Sequence, residues 1–253
     1  VKAWRYLETG ANDAFFNMGL DEAILESVAG GLEPPTLRLY RWKPSAVSVG
    51  YFQGVRDEVD LGKCAELGID VVRRLTGGGA VFHADEVTYS IVVPETHPLA
   101  AGGILDSYKA ICAGVVAGFK ILGIQAEFAP LNDIVAGGRK VSGNAQTRKR
   151  GCLLQHGTIL LGVDLEAMFT VLQVPNEKLK GKLIEDVKAR VSSVSAMLGH
   201  PVGYEEALPA FERGFAEVLG ELGPGSIPGD DELRRARINA RERFSSGAWT
   251  FKR

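Results

Sequence analysis

Apolar and polar positions alternate with two different periods along this chain, and the switches between them predict its elements. Residues 2–8 (KAWRYLE) read as an opening strand. Phe16, Leu20, Ile24 and Val28 then recur at every fourth position, one buried stripe of a helix. Asn12 or Asp13 can cap that helix, and Gly30-Gly31 ends it. Beside the stripe, Asp21 and Glu22 read as solvated or first-turn charges. After Pro34-Pro35, period two predicts strands TLRLYRW (36–42) and AVSVGYF (46–52), joined by a turn at Pro44, with Arg38 and Arg41 as edge charges. Residues 57–68 read as a short helix ending at Gly68. AVF (80–82) and VTYSIVV (87–93) read as a strand pair around His83-Ala84-Asp85-Glu86. Helical spacing returns over 103–122, strand over 124–128, and Gly137-Gly138 predicts a tight hairpin between DIVA and RKVS. LLQHGTILL (153–161) is expected antiparallel to that hairpin. Beyond 165 the pattern is helical: 205–222 is amphipathic and interrupted by Pro209, 223–229 is a mobile-looking linker, and a last charged helix ends on Trp249 as an anchor. The arginines of that last helix read as a solvated face.

Composition narrows the class. The 253 residues are 45% hydrophobic and 24% charged, an ordinary globular balance with one recognisable core. A net charge of −2 argues against bulk nucleic-acid binding. No apolar run approaches a membrane span and no cleavable signal opens the chain, so a cytoplasmic location is expected. Three widely spaced cysteines, Cys64, Cys112 and Cys152, form no CxxC, which disfavours a disulfide framework or a zinc site. The four histidines make no HxxxH or HExxH pattern, so no protein-built catalytic metal cage is expected.

The chemistry concentrates in two stretches. In the first, Arg73-Arg74 precede Thr76 and Gly77-Gly78-Gly79. Glycines let the backbone take positive φ and let another molecule lie against it. Successive free N–H groups in such a turn suit a carboxylate or phosphate. Alternation predicts that only one of the two arginines faces that concavity, and His83 follows closely enough to line it. In the second stretch, Lys140 lies inside a strand. It is either a solvent-facing hairpin lysine or an inward cation that needs an anion to meet it.

RRLTGGGAVFH, followed by LND, GRKVSGNAQ and LLQHGTILL, resembles the lipoate–protein ligase A family, within the wider biotin/lipoate protein ligase and octanoyltransferase fold. The resemblance covers nearly the whole chain. It implies an α+β catalytic domain with a mixed, mostly antiparallel sheet, one domain over 1–253 without the accessory C-terminal domain of many ligases. It implies ATP-dependent activation of lipoate or octanoate to an acyl-adenylate, with Mg²⁺ arriving with ATP, and transfer to a lysine of lipoyl carrier domains. Those carriers are E2 subunits of 2-oxoacid dehydrogenases and the glycine cleavage H protein. A separate small accessory protein is expected to replace the missing domain.

By the same resemblance, Gly77, Gly78 and Gly79 lie along the acyl-adenylate, and Arg74 and Lys140 bracket carboxylate and α-phosphate, Lys140 being the leading catalytic residue. Thr76, Ala80, Val81 and His83 shape the loop side of the pocket. Ser142, Gly143 and Ala145 follow Lys140, Asn132-Asp133 lies near the phosphates with Asp133 as a magnesium ligand, and His156 supports the pocket.

Two departures qualify the ligase expectation. The segment after His83, ADEVTYS, and the Gln-Thr-Arg and Leu-Gln-His-Gly segments lean toward octanoyltransferases. Those enzymes move an octanoyl thioester from acyl carrier protein through a cysteine acyl-enzyme, without ATP. Neither place where they keep that cysteine, the segment before Gly138-Arg139-Lys140 and the position of Val174-Pro175-Asn176, holds one here. Cys152 is the candidate nearest the motifs, and burial suits it better. The ligase therefore leads, with the transferase as alternative. A non-catalytic lipoate-binding protein is the third reading, and it has little use for two buried cations.

Overall fold

The computed structural model describes residues 4–173 and 177–253. Ten strands appear among them: β1 Arg5–Asn12, β2 Thr36–Trp42, β3 Ala46–Val49, β4 Asp70–Arg73, β5 Val81–His83, β6 Glu86–Pro94, β7 Ala126–Ala129, β8 Asp133–Ala136, β9 Arg139–Lys149 and β10 Cys152–Leu160. The main sheet runs β1-β2-β6-β10-β9-β8-β7, and a smaller one runs β4-β3-β5. The pairs β1/β2 and β3/β4 are parallel and the other pairings antiparallel, the mixed, mostly antiparallel α+β architecture expected.

Alternation along the central strands decides which residues share a face. Leu37, Leu39, Val87, Tyr89, Ile91, Leu153 and Ile159 point to one side of the main sheet. There they pack against two long helices, α1 Ile104–Ile121 and α2 Tyr204–Leu219, through Ile111, Val115, Phe119, Phe211 and Phe215. The two helices cross with backbone nearly touching at Gly118 and Gly214. Tyr40, Trp42, Val92 and Leu154 point to the other side, onto a third helix, α3 Ala14–Ala29. Asp13 caps α3 by accepting from the Phe16 N–H.

Several expectations give way. Strands 36–42 and 46–52 do not pair with each other, and β5 pairs with β3 rather than β6. The cause is Val47 and Val49, which bury in a separate small core with Val55, Val59, Cys64 and Val171. Asp21, Glu22 and Arg38 are buried rather than solvated. The helix that carries the two acids is covered on its far side by α4 Asp230–Asn239, so it has no free flank. Arg243, just beyond α4, reaches back to the Glu22 carboxylate. Helix 204–219 runs unbroken through Pro209, which sits near its start on the exposed face. Residues 223–229 are laid along β1 rather than left free: Gly223 donates to the Trp4 carbonyl at 2.8 Å and Ser226 to that of Tyr6 at 3.1 Å. Val174-Pro175-Asn176 lies outside the described residues. No helix among the described residues is long and apolar enough to cross a membrane.

Candidate active site

The site forms where the polar face of the main sheet meets the small sheet. Tyr40, Thr88, Thr158 and Gly143 stand opposite one another in register, and Trp42 and His156 lie two residues along their strands on the same face. Ser48 and His83 come from β3 and β5, and the loop 75–80 closes the gap.

The two arginines part company, as alternation requires. Arg73 donates to the carbonyls of Gly50, Gln53 and Thr250 at 2.9, 2.7 and 2.8 Å, and its own carbonyl accepts from the Trp249 indole at 2.8 Å. It anchors the end of the chain. Arg74 lines the cavity instead. Its Nη2 donates to the carbonyls of Gly77 and Gly79, both at 2.7 Å. Its Nη1 donates to the Ser48 carbonyl at 2.9 Å and Ser48 Oγ at 3.1 Å, and its Nε to Thr76 Oγ1 at 3.2 Å. That uses all five guanidinium donors. Burial pulls Arg74 down to about 10. It therefore moulds the glycine loop and lends the site a positive field, but it has no donor left to bracket an anion.

The loop is also fixed by steric fit. Gly78 has φ +94, and a Cβ on Gly50 would collide with the Gly78 carbonyl. Among the described residues, the N–H groups of Gly77, Gly78 and Gly79 donate to no protein acceptor. Gly78 and Gly79 face the cavity, whereas Gly77 does not.

Two hydroxyl–imidazole–carboxylate chains converge on Arg74. In one, Ser48 Oγ lies 2.7 Å from His83 Nε2, and His83 Nδ1 lies 2.8 Å from Glu86 Oε1. In the other, Thr76 Oγ1 lies 2.7 Å from His156 Nε2, and His156 Nδ1 lies 3.2 Å from Asp21 Oδ2. Each hydroxyl accepts from Arg74, which directs its own hydrogen to the imidazole. Nε2 is then the acceptor and Nδ1–H the donor in both rings. Burial lowers His156 despite the hydrogen bond to Asp21. Burial alone would raise Asp21, but the His156 hydrogen bond and the Arg38 charge outweigh it and hold the carboxyl below its usual range. Trp42 stacks on His83 with ring centroids 4.0 Å apart, and its indole donates to Thr88 Oγ1, which donates to Glu86 Oε1.

The cavity has a volume of about 170 Å³. Of the residues expected at the site, Arg74, Gly78, Gly79, Ala80, Val81, His83, Asn132, Lys140, Gly143, Ala145 and His156 line it. A second cavity of about 280 Å³ shares Ala80, Val81, Lys140, Gly143 and Thr158 with the first and is mostly apolar beyond them. Lys140 thus stands on the shared wall, 40% exposed, its Nζ 2.7 Å from Asp133 Oδ1. A Cβ at Gly143 would crowd the Lys140 ammonium, so the glycine makes room for it.

Four expected residues do not line either cavity. Thr76 stands behind the wall as a link in the His156 chain, and Gly77 holds Arg74 through its carbonyl. Ser142 is buried on the opposite face of β9. Asp133, expected as a magnesium ligand, pairs with Lys140, and no group of three or more acidic, histidine or cysteine side chains is gathered among the described residues. Asn132 exchanges amide hydrogen bonds with Asn144, tying the start of β8 to β9. Met18, Tyr40, Trp42, Ser48, Thr88 and Thr158 also line the first cavity and were not anticipated. The alternation of 36–42 and 46–52 was a legible signal for Trp42 and Ser48, but it could not say that those two strands converge from separate sheets.

None of the three cysteines lines either cavity, and all three are buried. Cys112 lies behind the main sheet, beside Gln155 Nε2 at 3.7 Å, and burial pushes its thiol up to about 12. Burial likewise raises Cys64 to about 11, and it raises Cys152.

Comparisons with known proteins agree on the family and differ on the activity. The family described as "Lipoyl protein ligase A/B catalytic domain" matches residues 13–216. An octanoyltransferase LipM of Brevibacillus brevis is 36% identical over 277 aligned positions, covering all of both chains. One from Geobacillus kaustophilus is 37% identical, covering 100% of this chain and 99% of its own. Among solved structures, a bi-partite lipoate protein ligase from Thermoplasma acidophilum superposes with a TM-score of 0.88 at 30% identity, covering 98% of this chain and 96% of that one. The full-length octanoyltransferase relatives overturn ATP-dependent lipoate activation as the main reading. The ADEVTYS, Gln-Thr-Arg and Leu-Gln-His-Gly segments point the same way as these relatives, and the absence of a cysteine at the two expected places does not outweigh them.

Proposed function

Because this chain belongs to the lipoyl protein ligase A/B catalytic-domain family, we propose that it is an octanoyltransferase. It takes an octanoyl group from the thioester of an acyl carrier protein and delivers it to a lysine ε-amine of a lipoyl carrier domain. E2 subunits of 2-oxoacid dehydrogenases and the glycine cleavage H protein are the expected acceptors.

The observation that carries this reading is a pair of adjoining cavities that share wall residues, the second mostly apolar, with an ammonium on the shared wall. Apolar side chains take the acyl chain, each buried methylene contributing about 0.8 kcal/mol. A thioester is already activated, so no nucleotide is needed to make its carbonyl electrophilic. What the site must supply is orientation and stabilisation of the oxyanion that forms when the carbonyl is attacked. Lys140, Gly78 and Gly79 line the cavity, and an ammonium with two N–H groups that have no protein acceptor among the described residues is suited to that purpose. The ion pair with Asp133 keeps the Lys140 side chain directed along the wall.

The test is incubation of the chain with an apo lipoyl domain under two conditions: octanoyl acyl carrier protein without ATP, and free octanoate with ATP. Octanoylated domain is expected in the first. Product in the second alone overturns the proposal. Lys140→Ala should lower transfer by about 10²–10³, the cost of losing one oxyanion donor. Its thermal transition should barely move, because the side chain is part-exposed and its ion pair is a surface one.

A further inference from the structure

An acyl group handed on in two steps needs a nucleophile in the cavity, and no cysteine is there. We propose that Ser48 is that nucleophile, with His83 as its general base and Glu86 as the residue that orients the imidazole. This rests on the octanoyltransferase reading above.

The geometry is that of an activated serine. Ser48 Oγ to His83 Nε2 is 2.7 Å and His83 Nδ1 to Glu86 Oε1 is 2.8 Å, both within the reach required for nucleophile–base and base–orienter contacts. Ser48 and His83 both line the cavity. The imidazole cannot swing away, because Trp42 stacks on it at 4.0 Å. The tautomer is the competent one: Arg74 Nη1 donates to Ser48 Oγ at 3.1 Å, so the hydroxyl hydrogen points to Nε2. The same guanidinium stabilises negative charge as it develops on that oxygen. Ser48 differs in position from Thr76 of the sister chain, which makes the same kinds of contact but does not line the cavity.

In the first half-reaction Ser48 Oγ attacks the thioester carbonyl and His83 Nε2 takes the hydroxyl proton. The tetrahedral oxyanion collapses, the C–S bond breaks, and His83 returns the proton to the departing thiolate of the carrier arm. An octanoyl ester of Ser48 and a free thiol result. In the second, the acceptor lysine amine attacks the ester carbonyl and His83 takes a proton from the amine. The C–Oγ bond breaks, and the same proton restores the Ser48 hydroxyl, leaving an amide. No oxidant, reductant or nucleotide enters the balance.

The experiment is mass spectrometry of the full chain quenched after octanoyl acyl carrier protein is added and before any acceptor. The expected result is one octanoyl group on the peptide containing Ser48, stable to neutral hydroxylamine, which cleaves thioesters readily and esters slowly. Ser48→Ala should lose the adduct and lower transfer on the order of 10³-fold. Ser48→Cys should form an adduct that hydroxylamine removes, and it decides the matter if Ser48→Ala does not fold. An adduct on Cys64, Cys112 or Cys152 overturns the proposal. So does a folded Ser48→Ala within tenfold of wild type, or normal wild-type transfer with no enzyme adduct. Those outcomes leave the transferase reading standing. Absence of any transfer from the thioester removes that reading itself, and the serine assignment with it.

Discussion

The Ser48–His83–Glu86 and Thr76–His156–Asp21 chains use the same three kinds of group at nearly the same spacings, and both start from Arg74. They differ at the ends. Asp21 accepts from Arg38 Nη1 at 2.8 Å and from Ser90 Oγ at 2.9 Å as well as from His156. Its negative charge is matched by a guanidinium that is itself fully buried. Glu86 has no arginine or lysine among its described partners, and its second oxygen, Oε2, has no hydrogen bond. The first chain reaches the cavity with its serine and its histidine, the second with its histidine and not its threonine. A charge-compensated relay sealed at its hydroxyl holds parts of the fold together. An uncompensated one that ends on a cavity wall is arranged to pass a proton.

The largest expected consequence falls on the sealed chain. Asp21→Asn leaves Arg38 buried without its anion, which costs roughly 3–5 kcal/mol of stability. Chemical denaturation should show the midpoint falling at unchanged slope. A loss under about 1 kcal/mol would mean that the Arg38 charge is satisfied by Asn17 alone, whose Oδ1 accepts at 2.6 Å. Glu86→Gln should separate the two chains next. An amide N–H facing His83 favours the other tautomer, so Nε2 no longer accepts from Ser48. Transfer should fall on the order of 10²–10⁴-fold, while the denaturation midpoint moves far less than for Asp21→Asn. Equal effects of the two substitutions on stability would erase the distinction.

Much of this was legible in the residues. The glycine loop, the opposed directions of Arg73 and Arg74 and the hairpin at Gly137-Gly138 follow from local spacing, which a sequence carries directly, whereas spacing left Lys140 either solvent-facing or inward and only the family resemblance put it at the cavity. The buried charges were not legible. Asp21 and Arg38 sit on elements whose pattern is compatible with a solvated flank, and only the packing of residues 230–239 over 14–29 removes it. Ser48 escaped notice for a similar reason: its strand looks like the second arm of a hairpin with 36–42, yet it pairs with 70–73 and 81–83. Local period assigns a strand; which sheet it joins is a non-local matter.

The smallest expected effect is the acid sensitivity of the sealed chain. His156 is held neutral in the fold by burial, with Asp21, Thr76, Arg74 and His83 around it. In the unfolded chain it gains its proton near its ordinary value, about 6.5. Below that pH the unfolded state binds a proton that the folded state refuses, so stability falls as pH falls. The slope is at most one proton, about 1.4 kcal/mol per pH unit. His97, lowered by its own burial, adds to the total in the same window. The informative quantity is therefore the difference between wild type and His156→Asn, measured by denaturation between about pH 6.5 and pH 5, above the range where carboxylates dominate. His156→Asn should flatten the wild-type slope. Identical slopes in wild type and His156→Asn would mean that the ring accepts its proton in the folded state, and that burial beside Asp21 does not keep it neutral.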